Sequence, residues 1–448
     1  MRASRKLFYL TPLCALLAAG SVHATNGMLM EGYGPISTGM GGASQGFDHG
    51  NAAMAQNPAT LALMPDGTSR LDVAFGVLGP DVNSSIMGMN AKSGGTSYLM
   101  PALGYVKRNG AYTYGIGMFA QGGMGTEYDA TSFMSAPAGV PSGLPSRSEL
   151  GVGNVLIPLA YQVNPDLTVG ATVKFLWSSL DLRMTASGAQ LAGMAQASGL
   201  PPTGALATML PGLAGAPWAN ISFSDSNDFT GSAKATGFGA SLGATYKVNK
   251  DVTMGASYQL KSSLKDMKTD TSAASLTAIG GFLDLGRITV IDFQMPSVFA
   301  VGASWQAQPS LLLAADLKYI GWADSMKSFK MRYDSATPGM GSVNFAMDQN
   351  WKDQTVLSLG MAWKANEQLT LRAGLNLAEN PIPDAYVNPL FPATVKNHVT
   401  LGLGYKLSAA GDVNASLTVA PSTSVTSGGG VAISHGQTSM QVMYSHRF

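Results

Sequence analysis

The sequence predicts an all-β fold, a 14-stranded antiparallel transmembrane β-barrel with an N-terminal plug in its lumen. Only 12% of the 448 residues are charged, whereas soluble proteins average about 25%. No apolar run after residue 24 reaches the roughly 18 residues that a spanning helix requires. From residue 69 onward, apolar and polar residues alternate in fourteen stretches, which is typical of strands with one face toward lipid and one toward the lumen. A soluble all-β protein is the alternative, and the low charge argues against it.

Residues 1–24 have the pattern of a secretory signal peptide: a basic start, an apolar core at 7–20 and a small-residue cleavage pattern ending at Ala24. The mature chain is therefore expected to begin at Thr25. The only cysteine, Cys14, lies inside the signal, so the mature chain is expected to have no thiol for a disulfide, a cysteine metal site or thiol catalysis. A net charge of +1 gives no indication of a nucleic-acid partner.

Residues 25–66 are predicted to form the plug, and residues 67–448 the barrel. The first segment is rich in glycine and methionine, and it ends in the more apolar stretch 51–64, with Asn57, Pro58 and Ala59 at its centre. A segment of this composition between a signal peptide and the first strand can fold back into the lumen. The alternative is a disordered periplasmic tail.

The stretch 167–178 shows the strand pattern most clearly, because apolar side chains occupy every second position from Leu167 to Trp177. The links between stretches alternate in length: 164–166 is a short turn, whereas 179–235 is the longest loop. An even strand number with short periplasmic turns and long outer loops is the rule for barrels of the bacterial outer membrane. We therefore expect an outer-membrane location, with both termini periplasmic and with lipid and lipopolysaccharide around the wall.

The last stretch ends in Phe448, and its apolar face carries Met440, Val442 and Tyr444. An aromatic-terminated last strand of this type is like those that the bacterial barrel assembly machinery recognises, so that machinery is an expected partner. A barrel closed around its own plug needs no second subunit, and a monomer is expected.

No constellation of residues points to catalysis, a metal or a cofactor. Residues 42–46 fit the nucleophile-elbow pattern, but that motif requires a strand-to-helix turn in an α/β sheet, and nothing of the kind is predicted. The five histidines are scattered, without a serine at suitable spacing and without a metal-ligand cluster. The sequence therefore predicts neither an enzyme nor a bound cofactor.

Two groups of residues are candidates for ligand binding. The first group lies in apolar outer loops at 191–213 and 275–285, the second of which includes Phe282 and Leu283. Such loops suit hydrophobic solutes, whereas an open porin lines its constriction with charged residues. A lid of loops packed on one another is the alternative. Isolated cations on the lumen face can pair with a ligand carboxylate, since a buried anion needs a partner, and solvated lumen charge is the alternative. These cations are Lys174, Lys261, Lys318 and Arg372.

Residues that interrupt a β-ladder cluster on three consecutive stretches. Pro101 lies in the second stretch, Gly115 and Gly117 in the third, and Pro158 in the fourth. Proline cannot donate to the ladder, and interior glycine often marks a bulge or a close approach. A gap in the wall is predicted there. The alternative is a local irregularity of the β-ladder that has no functional role.

Several short segments lie in a characteristic order and spacing. They are the plug pattern at 39–44, Asp48 and 57–61, then Tyr-Ile-Gly-Trp at 319–322, Trp-Lys-Asp at 351–353, Leu-Arg-Ala-Gly-Leu at 371–375, Asn-Pro-Ile-Pro-Asp at 380–384, and 389–392. Together they resemble the FadL family of outer-membrane transporters for long-chain fatty acids and other hydrophobic compounds. The resemblance spans nearly the whole mature chain.

This resemblance implies a fourteen-stranded barrel in which ligand is captured between the loops 179–235 and 265–286, binds in the lumen and leaves sideways after the plug moves. The exit is expected at the kinked third strand near Gly115 and Gly117, with the tripeptide 57–59 beside it as part of the gate. The expected function is passive uptake of long-chain fatty acids or similar hydrophobic compounds. The alternatives are uptake of monoaromatic hydrocarbons, a general diffusion porin, and a surface adhesin or phage receptor that transports nothing.

Overall fold

In a computed structural model that describes residues 26–227 and 230–448, 22 strands join into one antiparallel sheet. The predicted signal peptide lies outside the described residues. The strands are β1 Ser69–Ile86, β2 Met89–Lys92, β3 Tyr98–Asn109, β4 Tyr112–Tyr128, β5 Ser146–Gln162, β6 Leu167–Ala186, β7 Ala219–Phe223, β8 Ala233–Lys247, β9 Val252–Gln259, β10 Ser263–Leu264, β11 Met267–Lys268, β12 Ala274–Ala278, β13 Phe282–Ile291, β14 Val298–Gln308, β15 Leu311–Ile320, β16 Ser328–Ser335, β17 Ser342–Asp348, β18 Gln354–Lys364, β19 Leu369–Ala378, β20 His398–Lys406, β21 Gly411–Thr426 and β22 Ala432–Arg447.

The sheet closes on itself because its last strand pairs with its first. β22 runs antiparallel to β1, with Arg447 opposite Arg70 and Ala432 opposite Ser85. The other edge of β22 pairs with β21, and the other edge of β1 pairs with β3. Closure satisfies the backbone polar groups of strands that face lipid, where water is absent.

The predicted number of fourteen strands is wrong, because the closed circuit of paired strands contains 18. The sequence prediction treats 179–235 and 265–286 as connections, yet they contribute β7, β11, β12 and β13, which join β6 to β8 through successive pairings. β6 and β8 also pair directly over 167–180 and 233–246, so the four strands extend the wall beyond that direct contact. The physical reason is that long connections satisfy their own backbone polar groups by pairing with neighbouring segments.

The strands of the wall alternate between an apolar exterior and a mixed interior, as predicted. On β6, the side chains of Val169, Val173 and Phe175 are 41%, 59% and 43% exposed. Thr172 and Lys174, which lie between them, are buried. The exposed apolar residues give the outer surface the character of a lipid-facing band.

The two ends of the barrel differ. The turns at 110–111, 163–166 and 248–251 are short, and they lie at the end where Ser69 and Phe448 exchange backbone hydrogen bonds of 3.2 and 2.9 Å. We call this the short-turn end. The opposite end carries the long connections and is called the long-loop end.

Helices are few and short. They are α1 Gly34–Thr38, α2 Gly188–Ala197, α3 Ala205–Leu213 and α4 Trp322–Ser325, with 3-10 helices at Asn51–Ala55, Pro58–Leu63, Phe133–Ser135 and Asp384–Tyr386. α2 and α3 occupy the predicted apolar loop at 191–213, and their Leu191, Leu206 and Leu210 are buried, which favours a packed lid over free apolar surface. Among the described residues, no helix has both the length and the apolar character needed to cross a bilayer.

Residues 26–66 contact the inner face of the wall on several sides. Met54 and Leu61 pack with Val106 of β3, Phe119 of β4 and Leu156 of β5 in one apolar cluster. Elsewhere Met40 packs near β15 and β18 in a second, smaller cluster. The segment, called the plug below, therefore lies within the ring of strands.

Candidate functional site

The plug is fixed to β1 by an ion pair at the short-turn end. Arg70 donates two hydrogen bonds to the carboxylate of Asp48, at 2.8 and 3.0 Å, and a third to Asn51 Oδ1 at 2.9 Å. Asn51 donates in turn to the backbone oxygens of Arg70 and Gly104, and its own N–H donates to Asp72 at 2.7 Å. Two strands and the plug thus share one polar network.

Burial and the charge of Arg70 shift the pKa values of two plug side chains at this network, Asp48 and His49. Burial by itself raises the pKa of Asp48, but the charge of Arg70 and hydrogen bonds from Arg70 and Gly50 outweigh it and hold the pKa below its usual range. Burial lowers the pKa of His49 to about 4. At neutral pH the Asp48 carboxylate is therefore charged and available to Arg70, whereas His49 is neutral.

A second pair of charged residues holds the plug from β15. Asp316 accepts hydrogen bonds from the backbone N–H groups of Ser44 and Gln45, at 2.6 and 3.2 Å. Lys318 donates to the backbone oxygens of Glu31 and Gly42, both at 3.0 Å. Lys318, a predicted ligand-binding cation, therefore holds the plug backbone in this state.

We expect Arg70→Met to loosen the plug, because it leaves Asp48 and Asp72 without their cation. Breaking a fully buried ion pair costs about 3–5 kcal/mol. Because the Asp48 side chain is 30% exposed, we expect a smaller loss, about 2–3 kcal/mol of the free energy that holds the plug against the wall. Hydrogen exchange at residues 44–56 measures this loss. Arg447→Met, which removes an ion pair to Asp412 with 37% of the arginine exposed, is the matched control and should change exchange little. Equal protection of the plug in both variants would contradict the assignment.

The tripeptide Asn57, Pro58, Ala59 packs against β6 and β8. Asn57 is fully buried; its side-chain nitrogen donates to Gln45 O and Ala244 O, both at 3.1 Å, and its side-chain oxygen accepts from the N–H of Ala59. A side chain at Gly170 would lie within 2.9 Å of Pro58 and Ala59. The plug residue next to Gly117 is Met54, and the 3-10 helix Pro58–Leu63, which contains two residues of the tripeptide, also contacts β4 and β5.

The predicted ladder-breaking residues do meet in the wall. β4 and β5 pair at Tyr114–Leu159 and again at Gly117–Leu156, and the ladder is interrupted between these pairs. The register sets Gly115 opposite Pro158 in the interruption, where proline has no N–H to donate. Glycine and proline thus account for a local weak point between these two strands.

A larger opening lies between β3 and β4, nearer the long-loop end. These strands pair only as far as Leu103 opposite Met118, so 98–102 of β3 and 119–128 of β4 are not paired with each other. A bulge between Ala120 and Gly122 bends β4 at this point. The plug follows the bend, because Leu29 bridges to Gly122 and Tyr33 donates to Gln121 O at 2.7 Å.

A cavity of about 390 Å³ extends from the plug to this opening. Its lining includes Met100 and Phe119, which face the lumen, and also Leu99 and Met118, whose side chains are 43% and 40% exposed on the outer face. Because successive residues of a strand face opposite sides of a sheet, a cavity lined by both sets passes through the wall. Its volume lies within the roughly 300–1,000 Å³ typical of small-molecule sites.

The floor of the cavity is the plug at 27–31, and its roof is the connection between β19 and β20. Hydrogen bonds hold that connection against β4 and β5. Thr126 and Tyr128 of β4 donate to Pro389 O, each at 3.1 Å, and Ser148 of β5 donates to Leu390 O. Pro392 and Ala393 line the cavity from this roof. The cavity thus lies between the plug and this connection, and it reaches the side of the barrel between β3 and β4.

The remaining predicted ligand residues do not meet in one place. Lys174 is buried and donates to Gln259 Oε1 at 2.6 Å. Arg372 lines a different, polar cavity of about 570 Å³ at the short-turn end. Leu283 is 62% exposed on the outside of β13, and Phe282 packs at the margin of the core at the long-loop end. None of these residues lines the side-opening cavity.

Sequence reasoning missed the polar residues of that cavity. Glu31, His398 and His435 line it from the plug, β20 and β22, along with Glu149 of β5. They are far apart in the chain, and each occupies a place where the strand pattern predicts only an inward side chain. The unusual burial of His398 and His435, at 2% and 8% exposure, becomes visible only once the barrel is closed.

Comparisons with known proteins agree with this geometry. A family model described as outer membrane protein transport protein (OMPP1/FadL/TodX) matches residues 16–444. The crystal structure of the P. putida toluene transporter TodX superposes with a TM-score of 0.83 at 33% identity, covering 93% of this chain and 99% of that chain. The long-chain fatty acid transport protein of Escherichia coli is 22% identical over 88% of this chain and 88% of its own length. An uncharacterized Chlorobium limicola protein is 44% identical over 86 residues, which is 19% of this chain and 41% of that protein.

Proposed function

This chain belongs to the OMPP1/FadL/TodX family of outer-membrane transport proteins, and we propose that it takes up small neutral aromatic compounds through a side opening in its wall. Its family consists of transport channels for hydrophobic compounds rather than enzymes. The observation that carries the proposal is the cavity that runs from the plug to the outer face between β3 and β4. An apolar solute in that cavity reaches the lipid without crossing the periplasm.

The lining of the cavity favours neutral aromatics over the long-chain fatty acids expected from the sequence. None of its lining residues, all within the described ranges, is a lysine or an arginine; of its two carboxylates, Glu149 is paired with Arg147 and Glu31 accepts a hydrogen bond from Thr418. A buried fatty acid carboxylate without a cation costs several kcal/mol. The relative at 33% identity is a toluene transporter, and the fatty acid transporter is more distant at 22%.

The orientation belongs to the same proposal. The short-turn end, where β1 begins and the chain ends at Phe448, faces the periplasm, and the long-loop end faces outward among lipopolysaccharide. The described chain starts at Asn26 inside the barrel near the cavity, so the expectation that both termini lie at the periplasmic end holds in this proposal only for the C-terminus. Residues 1–24 act as the signal peptide, 25–66 as the plug and 67–448 as the barrel. Phe448 follows β22 with 67% of its side chain exposed, which suits recognition by the barrel assembly machinery, and the chain works as a monomer.

Uptake of labelled toluene and labelled oleate by bacteria that express the chain tests this function. We expect expression to accelerate toluene uptake clearly above that of cells with an empty vector and to leave oleate uptake unchanged. Faster oleate uptake without faster toluene uptake would support a fatty acid channel instead. A steady ion current through the intact protein in a planar bilayer would indicate a general diffusion porin.

A further inference from the structure

His435 lies at the cavity and has one ring nitrogen without a hydrogen-bond partner among the described residues. It lies on the inward face of β22, is 8% exposed, and lines the cavity. Its Nδ1 lies 2.6 Å from the backbone oxygen of Pro392 in the roof. Because a carbonyl oxygen only accepts, Nδ1 carries the proton, and in a neutral imidazole Nε2 then keeps a free lone pair. Nε2 is buried and has no hydrogen-bond partner among the described residues.

A second histidine adds to this feature. His398 of β20 is 2% exposed, lines the same cavity, and has a buried Nδ1 that is also without a partner in the described part of the chain. Buried polar atoms without partners are uncommon in folded proteins, and each one needs a reason. Much of the surrounding lining is apolar, including Met100, Phe119 and Trp177. Two unpartnered imidazole nitrogens in such a cavity point to a ligand with a polar group.

We propose that Nε2 of His435 accepts a hydrogen bond from a hydroxyl group on an aromatic substrate, so that the channel prefers hydroxylated aromatics such as methylphenols. This inference rests on the proposed function, because it assumes that neutral aromatics occupy the cavity. A hydroxyl that enters an apolar cavity loses its hydrogen bonds to water, and the loss is costly unless an acceptor replaces them. His435 supplies that acceptor once a small rotation of its ring brings the buried Nε2 to the cavity surface, and the ring of the substrate contacts the apolar lining.

Binding of matched ligands to the full mature chain in lipid nanodiscs tests the inference. The ligands are 4-methylphenol, which donates a hydrogen bond, 4-methylanisole, which has the oxygen but no donor, and toluene, which has neither. After subtraction of binding to empty nanodiscs, we expect 4-methylphenol to bind about 2- to 12-fold more tightly than 4-methylanisole. Equal binding of these two ligands would overturn the inference while leaving the uptake function intact if toluene also binds. Failure of all three ligands to bind would overturn both.

Two substitutions separate ligand recognition from a structural role. His435→Asn keeps a donor for Pro392 O but removes the acceptor at Nε2, so it should abolish the preference for 4-methylphenol. His435→Gln places an amide oxygen near the position of Nε2 and should retain part of it. His446→Asn on the same strand, outside the cavity, is the control. The opposite ranking of the Asn and Gln variants, or tighter binding of 4-methylbenzoate than of 4-methylphenol, would contradict a neutral acceptor at His435.

Discussion

Deletion of residues 26–64 is expected to convert an almost non-conducting barrel into an open pore. The plug contacts the wall on opposite sides: Asn51 bonds to β3, Thr172 of β6 donates to Met54 O at 3.0 Å, and Asn376 of β19 donates to Gly41 O at 3.0 Å. A segment held from several sides of the wall obstructs the lumen. Planar-bilayer recordings should therefore change from near the baseline for the intact chain to a steady, porin-like current for the deletion.

A smaller change in the wall should displace the plug without removing it. Gly255 of β9 lies against Gln45 O, and a side chain there would overlap that oxygen. Gly255→Ala is therefore expected to give an intermediate current. Gly239→Ala on the adjacent β8 is the matched control, because its nearest contact is a flexible Leu176 methyl at 3.2 Å. Heat-modifiable mobility in gels reports whether each barrel is folded. A folded deletion variant without steady current would contradict a plug that blocks the lumen.

The alternating pattern predicted the wall well but could not give its extent. Strands such as β6 follow the period of two because successive residues face lipid and lumen in turn. This alternation can be recognised from the residue types of one strand alone. β13 is ten residues long and alternates like the strands of the wall, whereas β7, β11 and β12, which lie within the long connections, are only two to five residues long. Strands this short have little periodicity of their own, and their pairing is decided by the neighbours that closure brings near them.

The candidate site shows the same division. Gly115 and Pro158 were recognisable as ladder breakers, since their backbone chemistry is independent of context. The opening between β3 and β4 lies instead at a bulge between Ala120 and Gly122; Gly122 and Gly123 are compatible with a bulge, but the sequence prediction placed the break at Gly115 and Gly117. The histidines of the cavity come from two strands, and their meeting requires the closed circuit. Lys318 alternates with outward-facing residues, as expected of a cation in the lumen. Only the position of the plug shows that its ammonium group already donates to backbone oxygens of the plug.

Replacement of Ala120 by tryptophan is expected to stop uptake of aromatic compounds. Ala120 lies at the bulge of β4, half-buried at the edge of the cavity, with outward-facing Leu99 and Met118 among the other lining residues. A large ring there fills the passage between β3 and β4, and the solute then has no apolar route from the lumen to the lipid. Toluene uptake by cells with Ala120→Trp should fall to the level of cells without the channel.

Ala171→Trp is the matched control, because Ala171 also faces outward, on β6, but is exposed and lies away from the cavity. This variant should retain full uptake with the same added side chain. Binding of 4-methylphenol should persist in Ala120→Trp, since the substitution blocks the exit and leaves His435 in place. Retained binding with lost uptake separates the exit from the binding site. Normal toluene uptake by a folded Ala120→Trp barrel would instead mean that the solute leaves by another path, through the short-turn end past the plug.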